Sequence, residues 1–481
     1  MKRRASLLTL ALCALPAVAT AFPVTALQDA GPVAQRYNVV ILGDGYRSQD
    51  QTKLTNDAKA FVNALFDDVP YKPYRRLFNI KLIQSVSQDQ GAKGGTAGGS
   101  PNTLFGANYN CNGVSQLICV DDGAVLTAAA TDDPDFDLAL VIVNDAKYGG
   151  SGGNVPVVST DSGAPEILRH ELGHNIAGLG DEYSFAYPGY PACPASDCTE
   201  PNVTTHTVRA EIKWLDWIDD ATPVPTPSGK SYAGIGLFEG ARYMTKGFYR
   251  PIDSACKMQS LGQPFCSVCA EALVRSFWNL KHVHLIDEAT PAMDVTSTKC
   301  ESTTFSVKTP TVTPSTLSFS WTVDGEPRAE ATATLVLAAG AVSEGSHEIA
   351  VTVKDGTALV RSDPMGSLSE THAFEYTVPA CAAPEPDAGV GGSSAGAANS
   401  AGNAAGGSVA VAGTSGQGGA TSAGGVSSSS GSPGSGGATP PSAPRETVGC
   451  NCRIAPPERS SKAWLAAALL GFAALARRRR S

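Results

Sequence analysis

Within the run HELGHNIAGLGDEY, His170 and His174 stand four residues apart with Glu171 directly after the first. Residues at that spacing share one face of an α-helix, so both imidazoles reach a single metal ion and the glutamate reaches a water beside it. The chemistry this predicts is hydrolysis, with a zinc ion acidifying water and polarising a carbonyl while Glu171 serves as general base. A catalytic zinc needs a third protein ligand and an open position. The next acidic residues along the chain are Asp181 and Glu182, carried back towards the metal once the glycines have ended the helix. Asp181, the nearer of the two along the chain, is the first candidate, and Glu182 is the alternative ligand or a hydrogen-bond partner of a ligating histidine. Tyr183, His206 and Tyr249 are candidates to stabilise an oxyanion or to support the ligands.

The elements that must position these side chains are legible from periodicity. Pro165 suits a first helical turn and Gly178 or Gly180 a helical stop, which bounds the motif helix. Ahead of it, RYNVVIL at residues 36–42, Phe78 to Gln84 and DLALVIV at residues 137–143 read as buried strands, and Gln51 to Phe66 as a helix, which together predict an α/β layer. Residues 89–135 are rich in Gly, Asn and Asp, with Cys111 and Cys119 eight apart, a spacing that fits a small disulfide loop. After the glycine run YGGSGG, VPVVS from Val155 reads as an edge strand over the motif helix. It would be open to an extended peptide by strand addition, or closed as a surface hairpin. Beyond the helix, a loop-rich stretch to about His284 carries Cys193, Cys198, Cys256, Cys266 and Cys269 and the tryptophans Trp214, Trp217 and Trp278. It is expected to be a subdomain pinned by disulfides, with a structural zinc on Cys256, Cys266 and Cys269 as the alternative use of those three.

The rest of the 481-residue chain bounds its setting. Residues 1–21 have a basic start, an apolar run and a small-residue end, the layout of a secretory signal peptide, so disulfides are favoured in the exported chain. From 286 to 381 short alternating strands such as LSFSWTVDG predict an all-β sandwich of immunoglobulin type, with Trp321 in its core and Cys300 and Cys381 near its ends. Residues 382–447, almost wholly Gly, Ala, Ser and Pro, cannot bury enough apolar surface to fold and read as a flexible stalk. Residues 448–481 hold Cys450 and Cys452, the apolar run WLAAALLGFAALA and four terminal arginines. That run is shorter than the roughly 20 residues an unbent membrane span needs. The net charge of −9 argues against a general nucleic-acid binder.

Two resemblances sharpen these expectations. The order cysteine pair, apolar run, arginine cluster resembles the C-terminal sorting tails of myxobacterial surface proteins. This implies processing at Cys450 or Cys452 by sorting machinery of the cell envelope; a plain single-span anchor is the alternative, and both put the chain at the outer surface. GDGY at residues 43–46, PYKPYRRLFNI at 70–80, YGGSGG, HELGHNIAGLGDEY, FEGARYMTKGFYRP at 238–251 and CKMQSLGQPFCSVC at 256–269 together resemble the IgA peptidase family of zinc metallopeptidases, over roughly residues 34–285. The resemblance implies a metzincin-like catalytic domain over residues 22–285, a protein or peptide substrate, and Met258 in the methionine turn beneath the metal. In the metzincin pattern the third ligand is a histidine ten positions after the first, a place taken here by Gly180.

The function expected is therefore that of a secreted, surface-tethered zinc endopeptidase. A non-catalytic adhesin on a peptidase scaffold and a zinc amidase acting on a peptidoglycan-type amide are the competing readings, and the intact Glu171 weighs against the first.

Overall fold

Strand β2 (Tyr37–Asp44) is buried along almost its whole length, as expected for an apolar run that has neighbours on both sides and a covering layer on each face. In the computed structural model, which describes residues 21–380 apart from 188–189, 230–231 and 297–300, it lies near the middle of a six-stranded sheet. In chain order the first part comprises β1 (Val24–Gln28), β2, α1 (Gln51–Leu65), β3 (Phe78–Ile83), the short pair β4 (Asn108–Tyr109) and β5 (Ile118–Cys119), and α2 (Asp122–Asp132). β6 (Leu138–Val143), β7 (Gly150–Ser151), β8 (Val157–Val158) and α3 (Ala164–Ala177) come next. The spatial order of the sheet is β1-β3-β2-β6-β8-β7, parallel from β3 to β8 and antiparallel at both edges.

Strand alternation divides the core. Val39, Ile41, Ile80, Leu82, Leu138, Leu140 and Ile142 pack with the apolar faces of α1 and α3, whereas Val40, Leu42, Ala139, Val141 and Val143 pack with Val125 and Ala129 of α2. The result is a sheet with helices on both faces.

Within residues 89–135 the helix α2 forms, capped by the Asp121 carboxylate, which accepts the Ala124 N–H at 3.0 Å. One sequence expectation is corrected here. VPVVS is not the edge, because β8 is enclosed between β6 and β7. The outermost strand is made by the glycine run, where a Cβ on Gly150 would lie 2.8 Å from the Ile167 side chain of α3. The Cys111–Cys119 disulfide forms as its spacing predicts.

Past α3 come the hairpin β9 (Phe238–Ala241) and β10 (Met244–Arg250), then α4 (Ser267–Phe277), which packs against α3. Cys193 and Cys198 are bonded, but Cys256, Cys266 and Cys269 are buried free thiols, so disulfides pin this region in one place only. Eight strands complete the order: β11 (Glu288–Thr290), β12 (Val295–Thr296), β13 (Thr303–Lys308), β14 (Leu317–Val323), β15 (Glu326–Pro327), β16 (Thr334–Leu337), β17 (Gly345–Asp355) and β18 (Ser369–Val378). They form a three-stranded sheet, β11-β13-β16, and a five-stranded one, β12-β18-β17-β14-β15. Phe305 of the first meets Phe374 of the second with ring centres 5.1 Å apart, and Trp321 is buried beside them.

The apolar cluster on the α3 face of the large sheet continues into these strands without interruption. Polar contacts secure the join. Asp287 receives a bidentate pair from Arg36 at 2.7 Å, and Asp355 accepts from the Tyr74 hydroxyl at 2.8 Å and the Trp278 indole at 2.9 Å. The chain is mixed α/β, with few helices. The leader up to Thr20, the Gly/Ala/Ser-rich stretch, the C-terminal tail, and Cys300 and Cys381 lie outside the described residues. Among the described residues no helix is long and apolar enough to cross a membrane.

Candidate active site and metal centre

Helix α3 has Pro165 in its first turn and ends on Gly178 in the left-handed conformation (φ 60°). There the Gly178 N–H reaches the His174 carbonyl and the Leu179 N–H the Gly173 carbonyl. Asn202 then fixes the chain, accepting the Gly180 N–H at 2.7 Å and donating to the Gly180 carbonyl at 2.9 Å. A Cβ on Gly180 would lie 2.8 Å from Val203, so a larger residue in that place would push this turn outward. Reversal at Gly178 and the Asn202 clamp bring Asp181 back over the helix.

The outcome is a triangle of donor atoms. His170 Nε2 and His174 Nε2 are 3.2 Å apart, and Asp181 Oδ1 lies 3.1 Å from the first and 3.4 Å from the second. Zinc bonds of about 2.0–2.1 Å at tetrahedral angles separate ligand atoms by about 3.3 Å, so the triangle has the dimensions of a bound ion. Both imidazoles are oriented from behind, His170 Nδ1 donating to the Lys257 carbonyl at 3.0 Å and His174 Nδ1 to the Leu179 carbonyl at 2.5 Å. Those bonds leave the Nε2 lone pairs facing a carboxylate oxygen that has no hydrogen-bond donor among the described residues. Three acceptors converging in a buried place call for a cation between them.

The electrostatics agree. Burial opposes the charge of Asp181, yet the His174 and His170 rings against it hold its carboxyl well below the usual carboxylate range. Burial likewise opposes a charged His170, and Asp181 outweighs it, so the cluster draws positive charge.

Glu171 is buried, its Oε1 has no partner among the described residues, and burial pushes its carboxyl up to about 8. Burial thus makes the ionised carboxylate a stronger base than an exposed one. It faces a cleft of about 580 Å³ lined also by His174, Asp181, Leu179, Ser151 and Gly152.

The other residues expected at the site are placed differently. Glu182 turns away from the histidines, with its Oε1 2.9 Å from Asn202 Nδ2 and 3.3 Å from Cys269 Sγ. Side chains alternate in extended backbone, so neighbours 181 and 182 face opposite ways. Met258 is fully buried under α3, where a Cβ on Gly173 would lie 3.0 Å from its sulfur, and its carbonyl accepts the Glu182 N–H. Tyr183 is buried with its ring centre 6.2 Å from that of His170. His206 and Tyr249 do not line the cleft. The His206 ring is engaged by Glu211 and the Ser196 carbonyl, and Tyr249 pairs through its backbone with Thr204.

Sequence reading missed three contributors. Tyr243 is buried beside Asp181, and burial together with that charge pushes its phenol far above its usual range. Arg242, its neighbour in the tight β9–β10 turn, donates to buried Glu200 at 2.9 Å. Gly152 lies directly over Glu171. The glycine run carried a signal of its own, since closely spaced glycines mark a close backbone approach, whereas Arg242 and Tyr243 stood out only as part of the motif FEGARYMTKGFYRP.

A helix-borne glutamate beside two histidines and a returning aspartate, at the mouth of an α/β sheet, defines a candidate hydrolytic centre with a metal-binding ligand group. Residues 25–233 match the family described as IgA Peptidase M64, so this part of the chain is similar to a family of peptidases. No curated protein matches the chain.

Proposed function

We propose that the chain is a zinc-dependent endopeptidase, exported and held at the cell surface, in which His170, His174 and Asp181 hold the metal and Glu171 is the general base. The observation that carries this reading is the convergence of His170 Nε2, His174 Nε2 and Asp181 Oδ1 within 3.4 Å beside an unpartnered Glu171 oxygen in an open cleft. When bound there, zinc supplies Lewis acidity, lowering the pKa of water and polarising a carbonyl. Glu171 Oε1 takes the proton of the attacking water and passes it to the leaving amine. The Nδ1 bonds of His170 and His174 to backbone carbonyls keep both rings in the tautomer that ligates through Nε2. Tyr183 and Tyr243 pack on each other with ring centres 5.2 Å apart, and Tyr183 lies beside His170, which backs the ligands with buried aromatic rings.

Ser151 and Gly152 line the cleft at the edge of the sheet, which supports binding of an extended peptide by strand addition. In this reading the strands from 286 onward form an immunoglobulin-like sandwich, Met258 serves as the methionine turn of a metzincin-like domain, and the C-terminal segment is a sorting tail.

The test is cleavage of an unstructured protein such as casein, with zinc content measured alongside, for the parent and Glu171→Ala. About one zinc retained at the His170 site in both, with cleavage by the parent alone, is the expected result. Metal binding with no cleavage by either would turn the reading towards the amidase. A parent that binds no metal would sink it.

A further inference from the structure

We propose that Cys256, Cys266, Cys269 and Glu182 form a second, structural zinc site, separate from the His170–His174–Asp181 group. One ligand atom from each of the four residues falls within 4.8 Å of the others, and all four residues are buried. Cys256 Sγ lies 3.7 Å from Cys269 Sγ, and Cys269 Sγ lies 3.3 Å from Glu182 Oε1. Zinc at about 2.3 Å from sulfur and about 2.0 Å from oxygen, in tetrahedral geometry, separates sulfurs by about 3.8 Å and sulfur from oxygen by about 3.5 Å. A disulfide requires sulfurs about 2.05 Å apart, and three clustered cysteines cannot all pair with one another.

The surroundings are those of a site rather than of an apolar thiol pocket. Glu182 is fully buried, its Oε2 has no hydrogen-bond partner among the described residues, and Asn202 donates to its Oε1, the kind of outer contact that orients a carboxylate ligand. The hydrogen bonds of the nearby Arg250 go to the carbonyls of Glu239, Gly240, Ile252 and Asp253 and to the Asp253 carboxylate, so they leave that oxygen unmatched. Cys266 and Cys269 have the C-x-x-C spacing of a zinc knuckle, with Cys266 at the N-terminus of α4, where the helix favours a thiolate.

The ion would tie the turn after α3 to the distant stretch formed by the loop after β10 and the start of α4. Its ligands are also one peptide bond from the catalytic group. Glu182 follows Asp181, and Lys257, whose carbonyl receives His170 Nδ1, follows Cys256.

The experiment is metal analysis of the full chain and of its cobalt(II)-exchanged form, in the parent, His174→Ala and Cys269→Ser. The expected parent holds about two ions per chain, and its cobalt form shows the intense near-ultraviolet charge-transfer band of thiolate–cobalt bonds. His174→Ala should lose one ion and keep the band, whereas Cys269→Ser should lose the band. A parent with one ion and no thiolate band, or peptide mapping that finds Cys256 joined to Cys269, would overturn the proposal. Should Cys269→Ser fail to fold, the stoichiometry and band of the parent decide alone. Failure of the catalytic zinc reading would look different, since His174→Ala would then leave metal content unchanged.

Discussion

Gly152 stands over Glu171 so closely that a methyl group at position 152 would lie 2.1 Å from Glu171 Oε2. The glycine run that forms the sheet edge thus also fixes the depth at which Glu171 sits beneath the cleft. Gly152→Ala is expected to displace the carboxylate and lower kcat by about 100-fold, the cost of misplacing a reacting group by an ångström or so. Metal content should be unchanged, because the atoms nearest a methyl there all belong to Glu171 rather than to His170, His174 or Asp181. Equal loss of metal and activity in the same preparation would show that the effect is not exerted through Glu171.

Asp181 closes the ligand triangle, so Asp181→Ala should weaken metal binding while leaving both histidines in place. In a thermal melt with and without chelator, the parent should lose stability on metal removal, by about 2.7 kcal/mol for a free metal concentration 100-fold above Kd. The chelator-dependent part assigned to the catalytic ion should be absent from Asp181→Ala. A variant with the parent's full response to chelator would exclude Asp181 as ligand.

Asp197 braces the loop after the Cys193–Cys198 disulfide, accepting from Thr205 N at 2.7 Å and Thr204 Oγ1 at 2.8 Å, with Lys213 Nζ 3.1 Å away. Burial opposes its charge, but these donors prevail and bring its carboxyl down to about 2, against 3.8 for a free side chain. A folded-state value below the unfolded one means that the stabilisation is fully present above pH 3.8 and is lost as pH falls towards 2. Asp197→Asn should therefore lower Tm at pH 7, at a cost of about 1 kcal/mol. Its deficit relative to the parent should shrink as the pH is taken down through that window; a constant deficit would contradict the assignment.

Trp321 is 1% exposed, lies nearly parallel to Phe374 and donates its indole N–H to the Thr332 carbonyl at 2.8 Å. Trp321→Ala should cost about 3–5 kcal/mol in chemical denaturation. Because the apolar cluster runs on from the large sheet, unfolding of these strands and of the α3 region should be detected as one transition. Two well-separated transitions would mean that the shared core does not couple them.

The sequence by itself determined the part of the site that rests on one helical period. His170, Glu171 and His174 share a face because of the 3.6-residue repeat, and Pro165 and Gly178 bound their helix whatever surrounds it. The buried strands were legible for a similar reason, since β-branched runs of strand length have few other uses. Tertiary structure decided what depends on contacts between distant positions. Whether Asp181 or Glu182 faced the histidines turned on Asn202 gripping Gly180 and on the Met258 carbonyl taking the Glu182 N–H, neither of which has a local signature. The fate of Cys256, Cys266 and Cys269 was equally hidden, because spacing alone does not distinguish a disulfide from a ligand set, and the geometry here leaves three thiols facing a buried carboxylate. Edge position went to the glycine run rather than to VPVVS because only residues without a Cβ pass so near to Ile167 and Glu171, a constraint that exists only once α3 is packed against the sheet.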